Sequence, residues 1–108
     1  MPKKSNALFL FALSLIGDPA LAEAPSPERV KELTRFVSQE CGFCHGLHLT
    51  GGLGSPLTAS ALRDKPAESL IAATLYGIPG TAMPGWAPFL SADDASWIIS
   101  TLKKGFPQ

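Results

Sequence analysis

The sequence predicts an all-α domain with three main helices and a short fourth one, and three observations support this fold class. Apolar residues recur three and four positions apart in separate segments, which is the period of an amphipathic helix. Two segments rich in glycine and proline, residues 46–57 and 77–90, divide these helical segments as loops. No run of alternating β-branched residues indicates a strand. The helices are therefore expected to form the domain without a sheet.

The first predicted helix begins at Ser26-Pro27, with Ser26 as its N-cap and Pro27 in its first turn. Its apolar residues recur at helical spacing, at Val30, Leu33, Phe36 and Val37. We expect it to end near Cys41-Gly42. The first and last helices are expected to cross where Phe36 and Val37 meet Trp97 or Ile98.

Two helices are predicted in the middle of the chain, one short and one long. Thr58 is expected to cap one or two short turns that run through Leu62. The longer helix is expected from about Pro66 to Tyr76. Gly77 follows it as a left-handed stop, the position at which glycine is favoured.

The last predicted helix begins at Ser91. Asp94 lies three residues further on, in an arrangement that resembles a capping box. Acidic residues near the start of this helix and lysines near its end complement the helix dipole. Gly105 is expected to end it.

The first 22 residues are predicted to be an export signal, which leaves residues 23–108 as the domain. Two lysines precede a ten-residue stretch, residues 7–16, that is apolar except for Ser14. Small residues then mark cleavage after Ala22 or Ala24. The alternative is an uncleaved membrane anchor, but a span needs about 20 apolar residues. We therefore expect a periplasmic protein without stable membrane insertion after cleavage.

The charge balance gives no support to two classes of partner. The chain has nine basic and nine acidic side chains, and removing Lys3, Lys4 and Asp18 with the signal leaves seven and eight, a net charge of −1. Such a balance indicates neither nucleic acid nor an anionic membrane surface as partner. A disulfide between the two cysteines would close only a very short loop and would stabilise little.

The chemistry-bearing motif is Cys41-Gly42-Phe43-Cys44-His45. The pattern C-x-x-C-H is the signature of c-type haem attachment. Two thiols three positions apart can add to the two vinyl groups on one edge of a porphyrin, and the adjacent imidazole then lies under the iron as a nitrogen ligand. The motif therefore predicts one covalently attached haem c, with His45 as an axial ligand.

Two other uses of the same residues are considered. A thioredoxin-like dithiol would require a βαβ setting, and no strand is predicted before the motif. A structural zinc ion requires four ligands, and the only candidates form one tight cluster: Cys41, Cys44, His45 and His48.

Met83 is the candidate for the second axial ligand of the iron. It lies between Pro79 and Pro84 in a stiffened loop, and it is the only methionine that remains after signal cleavage. Core filling is the alternative role. His48 competes as a ligand, but it would have to swing around the haem edge to reach the far face. Methionine opposite histidine favours the ferrous state and raises the potential, which suits electron transfer.

Other residues are expected to surround the haem. The segment 54–57 is expected to supply a carbonyl to the second ring nitrogen of His45, because Pro56 has no N–H and stiffens the turn. Thr81 is expected either to bond a haem propionate or to stabilise the local turn, and Trp86 either to bond a propionate or to pack on the porphyrin. The expected apolar cover consists of Leu53, Leu57, Leu70, Leu75 and Phe89.

These motifs resemble those of class I cytochromes c, over about residues 28–107. That resemblance implies a small fold wrapped around one covalent haem, with thioether bonds at Cys41 and Cys44 and axial ligands at His45 and Met83. A narrower resemblance is to cytochrome c55X, also called NirC. It is carried by five further segments: Leu49-Thr50-Gly51-Gly52-Leu53-Gly54, Leu75-Tyr76-Gly77, Met83-Pro84-Gly85-Trp86-Ala87, Trp97-Ile98 and Gly105-Phe106-Pro107. In that pattern the loop proline directly follows the glycine, whereas here Ser55 intervenes before Pro56, so the carbonyl that faces His45 stays open.

The resemblance implies a monomeric periplasmic electron carrier of denitrifying bacteria, not an enzyme. Its partners would be the haem d1 nitrite reductase and an upstream electron donor. Two alternatives use the same haem: a redox role in haem d1 biosynthesis, and general electron supply to a terminal oxidase. An enzyme with an open iron position would require displacement of Met83.

Overall fold

The computed structural model describes residues 24–107, and this part of the chain is helical and contains no strand. The predicted all-α fold is thereby confirmed. The predicted export signal lies outside the described residues. The helices are α1 (Pro27–Phe36), α2 (Gly42–His45), α3 (Ala59–Leu62), α4 (Ala67–Tyr76) and α5 (Ala92–Lys104), with a π-helical turn (Val37–Cys41) between α1 and α2.

The start of α1 follows the prediction, but its end does not. The Ser26 side chain accepts a hydrogen bond from the Arg29 backbone N–H at 3.2 Å, so Ser26 is the N-cap. The prediction that the helix ends near Cys41-Gly42 was wrong, because the chain stays helical through the π turn and α2 as far as His45.

The π turn accommodates one additional residue between α1 and α2. The backbone N–H of Gly42 donates to the carbonyl of Val37, five residues earlier. The buried positions therefore advance from Leu33 to Val37 by four residues and from Val37 to Gly42 by five. A regular α-helix would turn Glu40 toward the buried stripe, whereas here Glu40 is exposed. The π turn thus keeps the Glu40 carboxylate in water and places Gly42, which has no side chain, against the core.

The later helices begin and end as predicted, within one residue. Thr58 caps α3 by accepting from the Ala61 N–H at 3.3 Å. Gly77 ends α4 with a φ of 76°, in the left-handed region. At α5 the Ser91 hydroxyl accepts from the Asp94 N–H and the Asp94 carboxylate accepts from the Ser91 N–H, both at 3.0 Å, which confirms the capping box.

One apolar cluster holds the helices together, and α3 and α4 both pack against α5. Its buried members are Leu33, Val37, Leu49, Leu62, Leu75, Leu90, Ala95, Ile98, Ile99 and Leu102. Val37 and Ile98 are both members of this cluster, and the Phe36 ring packs edge-on against Trp86, with ring centroids 5.1 Å apart. None of the helices in residues 24–107 has the length and hydropathy that crossing a membrane requires.

Candidate haem-binding site

The π turn and α2 carry the three residues of the attachment motif. Cys41 is the last residue of the π turn, and Cys44 and His45 are the last two residues of α2. Both thiols are free and half-buried. Because all three residues lie within two consecutive helical turns, their relative positions are set by one short stretch of backbone.

The ring of His45 is oriented by a single strong contact. Its Nδ1 lies 2.6 Å from the carbonyl oxygen of Ser55. Because a carbonyl only accepts, Nδ1 carries the proton and donates it, which leaves the lone pair of Nε2 available for a metal. The structure confirms that the segment 54–57 supplies this carbonyl, and it identifies the residue as Ser55. Pro56 follows directly and stiffens the turn.

The loop after α2 is fastened to the backbone of the motif. The Gly54 N–H donates to the Cys44 carbonyl at 2.7 Å, and the Gly51 N–H donates to the His45 carbonyl at 2.8 Å. Gly54 also lies directly on the imidazole, since a Cβ at this position would be 2.8 Å from Cε1 and Nδ1 of His45. The loop therefore fixes both the position and the rotation of the imidazole ring relative to the backbone of the motif.

Leu49 anchors this loop, a role that the sequence did not predict. It is the one non-glycine residue with positive φ (60°) among residues 24–107, and its side chain is buried in the core. Its carbonyl accepts from the Leu57 N–H at 2.8 Å. The left-handed backbone turns the chain so that segment 54–57 returns to His45, and the buried side chain compensates the strain. No local sequence signal distinguishes such a leucine from an ordinary loop residue.

Replacing Gly54 with alanine is expected to displace the imidazole of His45. The added methyl group would overlap the ring, and overpacking of this kind costs about 1–3 kcal/mol. Chemical denaturation of the haem-loaded protein measures the loss, and the optical spectrum reports the altered histidine. Gly42→Ala is the matched control, because a Cβ there lies 3.6 Å from the Val37 carbonyl, an ordinary contact. Equal stability of the two variants would contradict the proposed contact.

The geometry does not support the two other uses of these cysteines. Within residues 24–107, no group of three His, Cys, Asp or Glu side chains is placed to hold a metal ion. The same residues contain no strand, which a thioredoxin-like site would require. Burial, assisted by the Glu40 carboxylate, raises the pKa of the Cys41 thiol to about 11, so this thiol is protonated at neutral pH. A thiolate active in disulfide exchange would need a lowered pKa.

The loop that carries Met83 is held against the end of α4. The backbone N–H groups of Trp86 and Ala87 donate to the carbonyls of Thr74 and Leu75 at 2.9 and 3.0 Å. Gly77 lies so close to this loop that a Cβ would be 2.7 Å from the Met83 carbonyl oxygen. The Met83 side chain is half-buried. These contacts give the loop one defined course past the end of α4.

The remaining predicted residues have clear local roles. The hydroxyl of Thr81 donates to the Ile78 carbonyl at 2.7 Å and accepts from the Met83 N–H at 3.3 Å. The single hydroxyl proton of Thr81 is thus donated within the turn, and a hydrogen bond to a propionate would require the hydroxyl to give up its bond to Ile78. Trp86 packs against Phe36 and lies 6.1 Å from the Phe89 ring. His48 is exposed.

The chain presents apolar side chains that the protein itself does not cover. Large side chains that are 45–90% exposed are Phe43, Leu47, Leu53, Tyr76, Ile78 and Phe89. Leu53 and Phe89, both expected to pack on the haem, are among them, whereas Leu75 is buried in the core. Two free thiols, an oriented imidazole with Nε2 available and uncovered apolar side chains together fit a covalently bound haem.

Comparison with known proteins identifies close relatives. Residues 28–100 match the family described as cytochrome C oxidase, cbb3-type, subunit III. The chain is 53% identical over 107 residues to cytochrome c55X of Pseudomonas aeruginosa, covering 94% of this chain and 87% of that protein. It is 51% identical over 92 residues to cytochrome c55X of Paracoccus denitrificans, covering 85% and 89%.

Two solved structures are also similar. One is a c-type cytochrome NirC, with 54% identity and a TM-score of 0.73 over 74% of this chain and 94% of that chain. The other is dihydro-heme d1 dehydrogenase NirN in complex with DHE, with 28% identity and a TM-score of 0.62. The second match covers 68% of this chain but 16% of the dehydrogenase, so it concerns one segment of a longer protein.

Proposed function

This chain belongs to the cytochrome c55X family of c-type cytochromes, and from that premise we propose that it carries single electrons through one haem c bonded covalently to Cys41 and Cys44. The oriented imidazole of His45 is the observation that carries the proposal. Its Nδ1–H is bonded to the Ser55 carbonyl at 2.6 Å, so Nε2 is held ready as a metal ligand. When bound, the haem supplies an iron that alternates between the ferric and ferrous states.

Met83 is proposed as the second axial ligand. Its loop is tied by backbone hydrogen bonds to the end of α4 and stiffened by prolines on both sides. A thioether stabilises ferrous iron, and ligands on both faces exclude substrate. The proposed chemistry is therefore electron transfer and not catalysis.

The proposed setting is the periplasm, after cleavage behind Ala22 or Ala24. The basic start, the short apolar stretch and the small residues before those positions support export. The resemblance to cytochrome c55X supports the haem d1 nitrite reductase as electron acceptor and a separate upstream redox protein as donor. Contacts between redox partners are small and transient, which accords with a monomeric carrier.

A redox role in haem d1 biosynthesis is the second candidate function. The observation that favours it is the similarity to one segment of dihydro-heme d1 dehydrogenase NirN. A cytochrome of this kind would accept electrons during maturation of the cofactor instead of delivering them to the finished reductase. The site residues are the same in both cases, so only partner measurements separate the two functions.

Stopped-flow mixing of the reduced cytochrome with oxidised haem d1 nitrite reductase tests the proposed electron delivery. We expect the cytochrome to become oxidised at a rate that rises with reductase concentration. Mixing with an inert protein such as bovine serum albumin in place of the reductase is the control, and it should leave the cytochrome reduced. Absence of electron transfer, together with loss of haem d1 in a deletion strain, would contradict the carrier function and favour the biosynthetic one.

A further inference from the structure

Arg29, in the first turn of α1, joins elements that are distant in the sequence. Its Nη2 donates to Asp94 Oδ2 at 2.7 Å and its Nε to Asp94 Oδ1 at 3.3 Å. The same Nη2 donates to the Phe89 carbonyl oxygen at 3.2 Å, while Nη1 pairs with the exposed Glu32 at 2.7 Å. One guanidinium thus connects α1, the start of α5 and the end of the loop that carries Met83.

Asp94 keeps this guanidinium in place. The aspartate is 7% exposed, and its Oδ2 also accepts from the Ser91 N–H in the capping box. The hydrogen bond from Arg29 holds the pKa of the Asp94 carboxyl below its usual range. A buried carboxylate without its partner is costly, so the Arg29 side chain is strongly restrained in the position from which it reaches Phe89.

Phe89 lies in a turn that follows Met83 closely. The N–H groups of Phe89 and Leu90 both donate to the Trp86 carbonyl, at 2.8 and 2.9 Å. The Trp86 ring in turn packs edge-on against Phe36 of α1. Residues 86–90, called here the closing limb, are therefore attached to α1 at both ends, by Arg29 and by Phe36. The closing limb begins three residues after Met83.

From these contacts we infer that Arg29 is a positioning residue that keeps Met83 on the iron by holding the closing limb against α1. The inference rests on the proposed function, in which Met83 is the second axial ligand. Because α1 continues through the π turn to His45, the helix that carries one ligand also fastens the loop that carries the other. Loss of the Arg29 bonds releases only the Phe89 end of the closing limb, because Trp86 and Ala87 keep their hydrogen bonds to the end of α4. The loosened end makes displacement of Met83 more frequent.

Carbon monoxide binding to the reduced, haem-loaded protein tests the inference, because the gas reaches the iron only when Met83 leaves. Arg29→Ala is expected to bind carbon monoxide at least about tenfold faster than the wild type. Arg29→Lys keeps the charge opposite Asp94 but lacks the guanidinium fork, and it should give an intermediate rate. If Arg29→Ala does not yield folded protein, faster carbon monoxide binding in Arg29→Lys than in the wild type supports the positioning role of Arg29.

Two matched variants separate positioning from a general loss of stability. Glu32→Gln removes only the exposed pair of Arg29 and should bind carbon monoxide at the wild-type rate. Leu62→Val removes a core methylene in α3, which makes none of the Arg29 contacts, and it should lower the denaturation midpoint without accelerating binding. Equal rates in wild type and both Arg29 variants, or equal acceleration in Leu62→Val, would overturn the inference.

The wild type itself distinguishes this inference from the proposed function. Slow binding of carbon monoxide to the wild type supports Met83 as a ligand, and the variants then decide the role of Arg29. Rapid binding to the wild type would mean that no ligand covers the iron. That result would overturn the ligation of Met83 and, with it, the role of Arg29.

Discussion

Replacing both Cys41 and Cys44 with alanine is expected to abolish covalent haem attachment and to leave the chain largely unfolded. The domain is small, and chains of this size bury little apolar surface without an additional cofactor or crosslink. Several of its large apolar side chains are exposed, Leu53 at 90% among them, and we expect the proposed haem to cover part of this surface. Removing the haem should therefore remove much of the apolar burial that stabilises the fold.

Dispersion of the amide signals in an NMR spectrum measures this loss of structure. The double variant should give a narrow, poorly dispersed spectrum, while the wild type with haem should give a well-dispersed one. His48→Gln is the control: it changes an exposed residue just after the motif and should keep both the haem and the folded spectrum. A well-dispersed spectrum from the double variant without haem would contradict the structural role proposed for the cofactor.

Replacing Met83 with histidine is expected to lower the reduction potential strongly. A thioether favours ferrous iron, whereas a second imidazole stabilises the ferric state relative to it. Axial ligands set potentials over a range of about 0.8 V, and we expect the shift to be a substantial part of that range. Spectroelectrochemical titration of the haem-loaded protein measures the potential directly.

A neighbouring substitution controls for disturbance of the loop. Thr81→Val removes the hydrogen bonds of the Thr81 hydroxyl to Ile78 and Met83 but leaves the methionine in place. Its potential should stay close to that of the wild type. An unchanged potential in Met83→His would remove Met83 from the site and leave the second axial position to another residue, with His48 as the alternative considered.

The features that the sequence predicted well are those with local causes. Ser26, Thr58 and the Ser91–Asp94 capping box each act on backbone groups within three residues, so short patterns suffice to identify them. Gly77 likewise stops α4 through its own backbone freedom. The attachment motif is also local, since its two cysteines and histidine lie within five consecutive residues.

The features that were not predicted depend on the packing of distant segments. The π turn arises because α1 and α2 both meet the core, and that constraint is not visible in residues 37–41 alone. Leu49 adopts a left-handed backbone because its side chain is buried. Burial in the folded chain, not the conformational propensity of leucine, decides this backbone. Arg29 and Asp94 are 65 positions apart. The Ser55 carbonyl was predicted only to within the segment 54–57, because the serine between Gly54 and Pro56 left open which carbonyl faces His45.

The mass of the exported protein under denaturing conditions tests covalent haem attachment most directly. We expect the mass of the chain after signal cleavage plus one haem that stays attached when the protein is unfolded. Proteolytic fragments should place that haem on the peptide that contains Cys41 and Cys44. An exported chain with its cysteines free and no haem adduct would contradict the proposed haem site.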